Sequence, residues 1–226
     1  MKHFVRPLLA LVVFLLVGQI LPIPPMAQDK LGPAQELKRE KLGPIEEAIK
    51  RAIRAGNIPG AVILIGNAEK VIYRRAFGHC ALVPQKLPMT IDTIFDIASL
   101  TKVVATTTAV MQLVEKGKLN LQDPVSKYWP EFETNGKEEI TLHQLLTHYS
   151  GLKPGLDLKP EWSGYDTALS MIISEKPVAP PGTQFIYSDI NFQILGELVQ
   201  RISGQPLDLY CSEHIFSPLG MKNTGF

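Results

Sequence analysis

Apolar residues recur at helical spacing between Ala34 and Ala55, through Leu37, Leu42, Ile45, Ala48, Ile49, Ala52 and Ile53, and the run stops at Gly56. That period places them on one face of an amphipathic helix with a glycine terminator. Pro44 is expected to kink or divide the helix, because proline has no N–H to give the preceding turn. Two β-rich runs follow, at residues 61–65 and 71–77, joined by a turn region at Gly66 and Asn67, and together they predict a hairpin. From Ser99 onward the helical period returns, with helices expected at 99–116, 141–147, 164–174, 188–203 and 206–216. Polar, proline-rich connectors such as "KPGLDLKPEWSG" and "KPVAPPGTQF" separate them.

Strands followed by a long run of helices describe an α+β chain. A two-stranded hairpin is marginal alone, and three or more strands are normally needed to bury a sheet face. Further strands are therefore expected outside this chain, which reads as the N-terminal part of something longer. Its last residues, "LGMKNTGF", form neither a capped helix nor a polar tail and fit that expectation.

The first 27 residues change the picture of where the chain works. Lys2 and Arg6 precede an apolar stretch from Leu8 to about Val17, then Gly18, Gln19 and several prolines lead to Ala27. A basic start, a short apolar stretch and a small residue at the end describe an export signal cleaved after Ala27. Gln19 and Pro22 interrupt the apolar run before the roughly 20 residues that a membrane span needs. The expected destination is periplasmic or extracellular, with no stable membrane span once the leader is removed. Residues 28–226 would then form one two-lobed domain.

Composition is that of an ordinary globular chain: 226 residues, 45% hydrophobic, 20% charged, formal net charge +1. Without Lys2 and Arg6 the balance is 21 basic to 22 acidic residues, and the basic residues are dispersed. Nucleic acid is excluded as a natural partner, and a small molecule or peptide is favoured. Cys80 and Cys211 belong to no C-x-x-C motif and are expected to be two separate buried thiols, although export would permit a disulfide. His143 and His148 are five residues apart, off a common helix face, so neither a metal site nor a cofactor motif is indicated. Oligomeric state is left open.

The candidate chemistry lies in "FDIASLTKVVATTTAV", where Ser99 stands three residues before Lys102. On a helix this spacing puts both on one face. A serine becomes a nucleophile when a neighbouring base takes its proton, and lysine can serve only if burial or local fields keep its amine neutral. Serine is equally a preferred helix cap, and a solvated lysine three residues later needs no catalysis. A second S-x-x-K, Ser150 to Lys153, runs into Pro154 and Gly155 and cannot hold its lysine on a helix face.

Five ordered segments resemble the serine β-lactamase and penicillin-binding protein superfamily, particularly its class C β-lactamase-like branch. "FDIASLTKVVAT" is similar to the family's nucleophile motif, "LNLQDPVSKYWPEF" to the segment after its helix, and "ITLHQLLTHYSGL" to its L-L-x-H-x-S-G-L turn. "PGTQFIYSDINFQILGELVQRISG" resembles the region of the Y-x-N motif, and "IFSPLGMKNTGF" the stretch that follows. The resemblance spans residues 42–226. It implies a β-lactamase/transpeptidase-like fold: an antiparallel sheet with flanking helices, an all-helical lobe, and an active site in the groove between them. It implies that Ser99 is acylated by a β-lactam, D-alanyl peptide or ester, that Lys102 and Tyr187 share the proton transfers, and that no cofactor takes part. The alternative on the same fold is an inactive protein that binds a peptide or cell-wall fragment.

Two departures from the family pattern stand out. Asp189 occupies the motif position where the branch has Asn, and a carboxylate near Lys102 favours the ammonium form. Asn191 is the expected substitute as a polar contact to substrate, beside Asp189. The family's late strand, carrying K-T-G or H-x-G and a second oxyanion donor, is not found in the sequence.

Overall fold

The computed structural model describes residues 42–226, so the leader at 1–27 and the start of the first helix at 34–41 lie outside the described residues. The chain divides into two compact units, one ending at Phe95 and the other running from Asp96 to Phe226.

In the first unit, α1 spans Gly43–Arg54, and Pro44 lies in its first turn rather than in its interior. Among the described residues the helix is unkinked after Pro44, because proline in the first turn forfeits only an N–H that has no helical acceptor there, and its fixed φ suits the helix start. The helix faces β2: the Glu46 carboxylate accepts from Tyr73 Oη at 2.8 Å and from Arg75 Nη1 at 2.7 Å. Strands β1 (Gly60–Gly66) and β2 (Val71–Ala81) pair antiparallel, with Ala61 opposite Phe77 and Ile65 opposite Tyr73. The Asn67 side chain closes the hairpin by accepting from the N–H groups of Glu69 and Lys70.

Strand β2 runs four residues past the expected end at Phe77 and receives a third strand, β3 (Leu87–Pro88), giving the order β1-β2-β3. Two residues, one of them a proline, carry no readable period, which is why the sequence showed only a hairpin. Cys80 lies exposed on β2 rather than buried as expected, and both cysteines are free. Cys211 is buried, and that burial pushes its thiol up to about 11, leaving it a small apolar side chain at neutral pH.

The second unit is helical. A π-helical segment, Lys102–Thr107, leads into α2 (Thr108–Glu115); α3 (Leu142–Leu146), α4 (Tyr165–Ser174) and α5 (Asp189–Ser203) follow. Last, α6 (Leu207–Cys211) continues into a second π-helical segment, Ser212–Phe216. Every helix expected in this unit is present within a few residues, and two boundaries show a clear local cause. Thr141 and Gln144 form a capping box that starts α3, and Gly204 at φ 77° stops α5 in the left-handed conformation. Helix α5 is the axis of the core. Its Ile190, Ile194, Leu195, Leu198 and Val199 have no solvent exposure and pack in one cluster with Val110 and Leu113 of α2, Leu145 of α3 and Tyr210 of α6.

One charge is buried in this unit without a carboxylate partner within salt-bridge distance. Lys137 donates to the carbonyls of Ile173 at 2.7 Å and Glu175 at 2.8 Å, and its ammonium lies 5.1 Å from the Phe132 ring centroid. It supplies the last turn of α4 with donors that a helix C-terminus otherwise lacks. Lys137→Met is therefore expected to lower stability by about 1–3 kcal/mol, because the half-buried Glu175 carbonyl loses its donor while Ile173 O keeps Thr134 Oγ1 and Asn135 Nδ2. Urea unfolding measures it, and a change below about 0.5 kcal/mol would show that water replaces the ammonium without cost.

Candidate active site

Ser99 sits at the head of a helix that begins under constraint. The Asp96 carboxylate accepts from the Ala98 N–H at 2.7 Å, and Ala98 is held at φ 44°, in the left-handed region that a Cβ disfavours. Three tight turns follow, with the N–H groups of Leu100, Thr101 and Lys102 donating to the carbonyls of Ile97, Ala98 and Ser99. The Ser99 hydroxyl makes no capping bond to the backbone. It accepts instead from Lys102 Nζ, at 3.1 Å. Cap and nucleophile, both open in the sequence, are thus separated by geometry: the helix start places Ser99, while its hydroxyl is committed to the lysine.

Lys102 is the centre of the cluster, with a side chain only 14% exposed. Its ammonium lies 2.7 Å from Asp189 Oδ1 at the first residue of α5, 5.1 Å from the Tyr187 ring centroid and 5.8 Å from that of Phe192. Burial pulls the lysine down, but the contacts with Asp189 and Tyr187 and the Asp189 charge outweigh it, and the net shift is upward. The resting site therefore holds an ammonium that donates to Ser99, the reverse of the proton arrangement that an activated serine needs.

Tyr187 and Asp189 are delivered by an irregular clasp of two segments. The N–H groups of Val178, Gly182 and Ile186 donate to the carbonyls of Gly151, Tyr149 and His148, and Asp189 N–H donates to Pro154 O. The approach is so close at Gly151, φ 78°, that an added Cβ would sit 2.0 Å from Ala179 O. Only glycine fits there.

Asn191 is not a groove contact. It is fully buried, its Oδ1 accepts from Ser150 Oγ at 2.6 Å and its Nδ2 donates to Leu145 O at 3.2 Å. Two residues along a helix is a rotation of about 200°, so Asn191 faces the core when Asp189 faces Lys102. Ser150 is buried in this network, and Lys153 pairs with Asp157 and Glu175, so the second S-x-x-K holds no nucleophile pair. His148, weighed in the sequence only as a metal ligand and as part of its motif, lies against Tyr187 with ring centroids 4.5 Å apart.

From Ser99, Lys102 and Asp189 a cavity of about 870 Å³ extends along α5 past Phe192 and Gln193 to Leu169 of α4. Its mixture of apolar wall and a few convergent polar groups is that of a small-ligand site.

The sequence profile of the Beta-lactamase family matches residues 45–226. The chain belongs to that family. It is 33% identical over 199 residues to an N-acetylmuramyl-L-alanine amidase of Bacillus subtilis, covering 80% of this chain and 45% of the relative. Among solved structures it is similar to the octameric penicillin-binding protein homologue of Pyrococcus abyssi, with TM-score 0.71 and 31% identity over 80% of this chain and 43% of that one. A class C beta-lactamase matches with TM-score 0.71 and 25% identity, over 84% of this chain and 52% of that one. This beta-lactamase-family chain thus spans about half the length of the relatives it matches. Its fold is the β-lactamase/transpeptidase-like α+β fold, and its family is one of hydrolases.

The Lys102–Asp189 pair makes a direct expectation. A folded pKa above the free-lysine value of about 10.4 means that the pair stabilises the protein fully below that pH and ceases to do so as pH rises through the folded value. Asp189→Asn is expected to leave burial as the largest influence on Lys102 and so to lower its pKa. The pH dependence of Lys102 acylation by an amine-directed reagent, read by mass spectrometry, measures this. An unchanged midpoint would show that Asp189 does not set the lysine's charge.

Proposed function

We propose that the protein is an exported serine hydrolase in which Ser99 attacks an amide, lactam or ester carbonyl and forms an acyl-enzyme. The observation that carries this reading is the 3.1 Å approach of Lys102 Nζ to Ser99 Oγ at a helix start, on the wall of a cavity of substrate size. In the reaction the Ser99 oxygen bonds to the carbonyl carbon while its proton passes to Lys102 or Tyr187 and then to the leaving group. Ser99 N–H, which donates to no backbone carbonyl among the described residues, is placed to face the developing oxyanion. Water then releases the acyl group. The names of the relatives, an N-acetylmuramyl-L-alanine amidase, a penicillin-binding protein homologue and a class C beta-lactamase, support an amide or lactam substrate.

Because Lys102 rests as an ammonium, acylation is expected to accelerate with pH, and Asp189→Asn to shift that rise to lower pH. A second reading, a groove that binds a peptide or cell-wall fragment without turnover, is favoured by the same ion pair, which opposes a lysine base. Incubation with a fluorescent penicillin or a fluorophosphonate separates the two. A covalent adduct is expected on the Ser99 peptide, absent from Ser99→Ala and reduced at least 100-fold in rate by Lys102→Ala. An adduct that persists in Ser99→Ala would overturn the nucleophile assignment, and reversible binding without an adduct would support the binding protein.

A further inference from the structure

His148 is the one imidazole packed into the site among the described residues, and its surroundings fix its protonation. Its ring lies 4.5 Å from the Tyr187 centroid, 5.3 Å from Phe192 and 5.8 Å from Phe185, so three aromatic side chains hold it in place. Its Nδ1 accepts from the Ser188 N–H at 3.1 Å, and Asn191 Nδ2 stands 3.5 Å from the same atom. Both neighbours of Nδ1 are donors. The Asn191 amide cannot turn to offer its oxygen, because its Nδ2 also donates to Leu145 O and its Oδ1 accepts from Ser150. The imidazole must therefore keep Nδ1 bare and carry its proton on Nε2.

His148 itself is strained into place at φ 61°, and its carbonyl accepts from the Ile186 N–H at 2.9 Å. Ring and backbone thus grip the Ile186-Tyr187-Ser188 stretch from one side. We infer that His148 is a positioning residue that holds Tyr187 at Lys102 only while its Nδ1 is unprotonated, so that protonating the ring releases the Tyr187–Asp189 turn and disables Ser99. This rests on the reading of Ser99 as the nucleophile.

The charged and titratable groups facing the ring are Lys102 from the π-helical segment, Asp189 from α5 and Tyr187 from the clasp, while Tyr149 on its own segment packs against Phe185. Burial lowers the imidazole below its ordinary value and the Lys102 ammonium lowers it further, with Asp189 opposing both. A histidine depressed in the folded state stabilises the fold above its free value of about 6.5, and that contribution is lost as pH falls through the folded value. The acid loss of activity is therefore placed below about 6.5.

The test has two arms on the same protein. Ring ¹⁵N shifts of His148 are expected to show a bare Nδ1 and a protonated Nε2, with a midpoint below about 6.5. A protonated Nδ1, or a midpoint at or above that value, would overturn the inference without any assay. In the second arm, Ser99 acylation by an activated ester is followed from pH 4 to 8 in wild type and His148→Gln, whose side-chain oxygen can accept from Ser188 without titrating. Both proteins share the fall in acid that Lys102 imposes, and the wild-type rate relative to that of the variant is expected to fall at least tenfold between pH 7 and 4. Superimposable profiles would overturn the positioning role while leaving the nucleophile standing, whereas absent labelling of Ser99 at any pH would remove the reading beneath it. His148→Phe, which keeps the ring but has no acceptor, is expected to lower the acylation rate at every pH rather than shift the profile.

Discussion

A buried amide must satisfy both its ends, and at Asn191 this requirement ties three segments together. Its oxygen takes the Ser150 hydroxyl, its nitrogen reaches Leu145 O, and the Ser150 oxygen in turn accepts from Leu152 N–H. Leaving one such group unpaired would cost about 1–3 kcal/mol, comparable with burying a whole aliphatic side chain. The loop after α3 is therefore fixed against the first turn of α5, and Tyr187, Asp189 and Phe192, which face Lys102 from that side, are hung from that junction. The apolar packing of α5 supplies the bulk of the stabilisation, but it would tolerate small rotations. The amide network does not.

Electrostatics give the site its second character. Lys102 is shielded, ringed by aromatic faces and paired with a carboxylate, and each of these except desolvation favours the charged form. A site of this kind is quiet at rest. Substrate entry that displaces Asp189 or removes water from the pair shifts the balance toward the neutral amine, because desolvation is the largest single influence on the lysine.

Much of this was legible in the chain itself. Helical period located all five helices after Ser99, and the three-residue step from Ser99 to Lys102 put both side chains together as the structure does. What was not legible depends on burial or on contacts between distant residues. Asn191 read as a groove contact because proximity to Asp189 in sequence suggested proximity in space, and the helical rotation sends it to the core instead. The place of His148 beside Tyr187 was not visible, since its partners lie some 40 residues away. Strand β3 was too short to show a period, and Cys80 lies on a face whose exposure alternation alone does not give.

The turn at Ala98 has a wider consequence. An alanine in the left-handed region costs about 1 kcal/mol or more, and it is retained because Asp96 on one side and the helical bonds on the other leave the backbone no relaxed alternative. Ser99 is thus placed by its own turn and the Asp96 carboxylate, which is not among the side chains that line the cavity. Those walls can be rebuilt by substitution without disturbing the turn that carries Ser99, which is the physical condition for one scaffold to change what its cavity accepts while the residue proposed to react stays still.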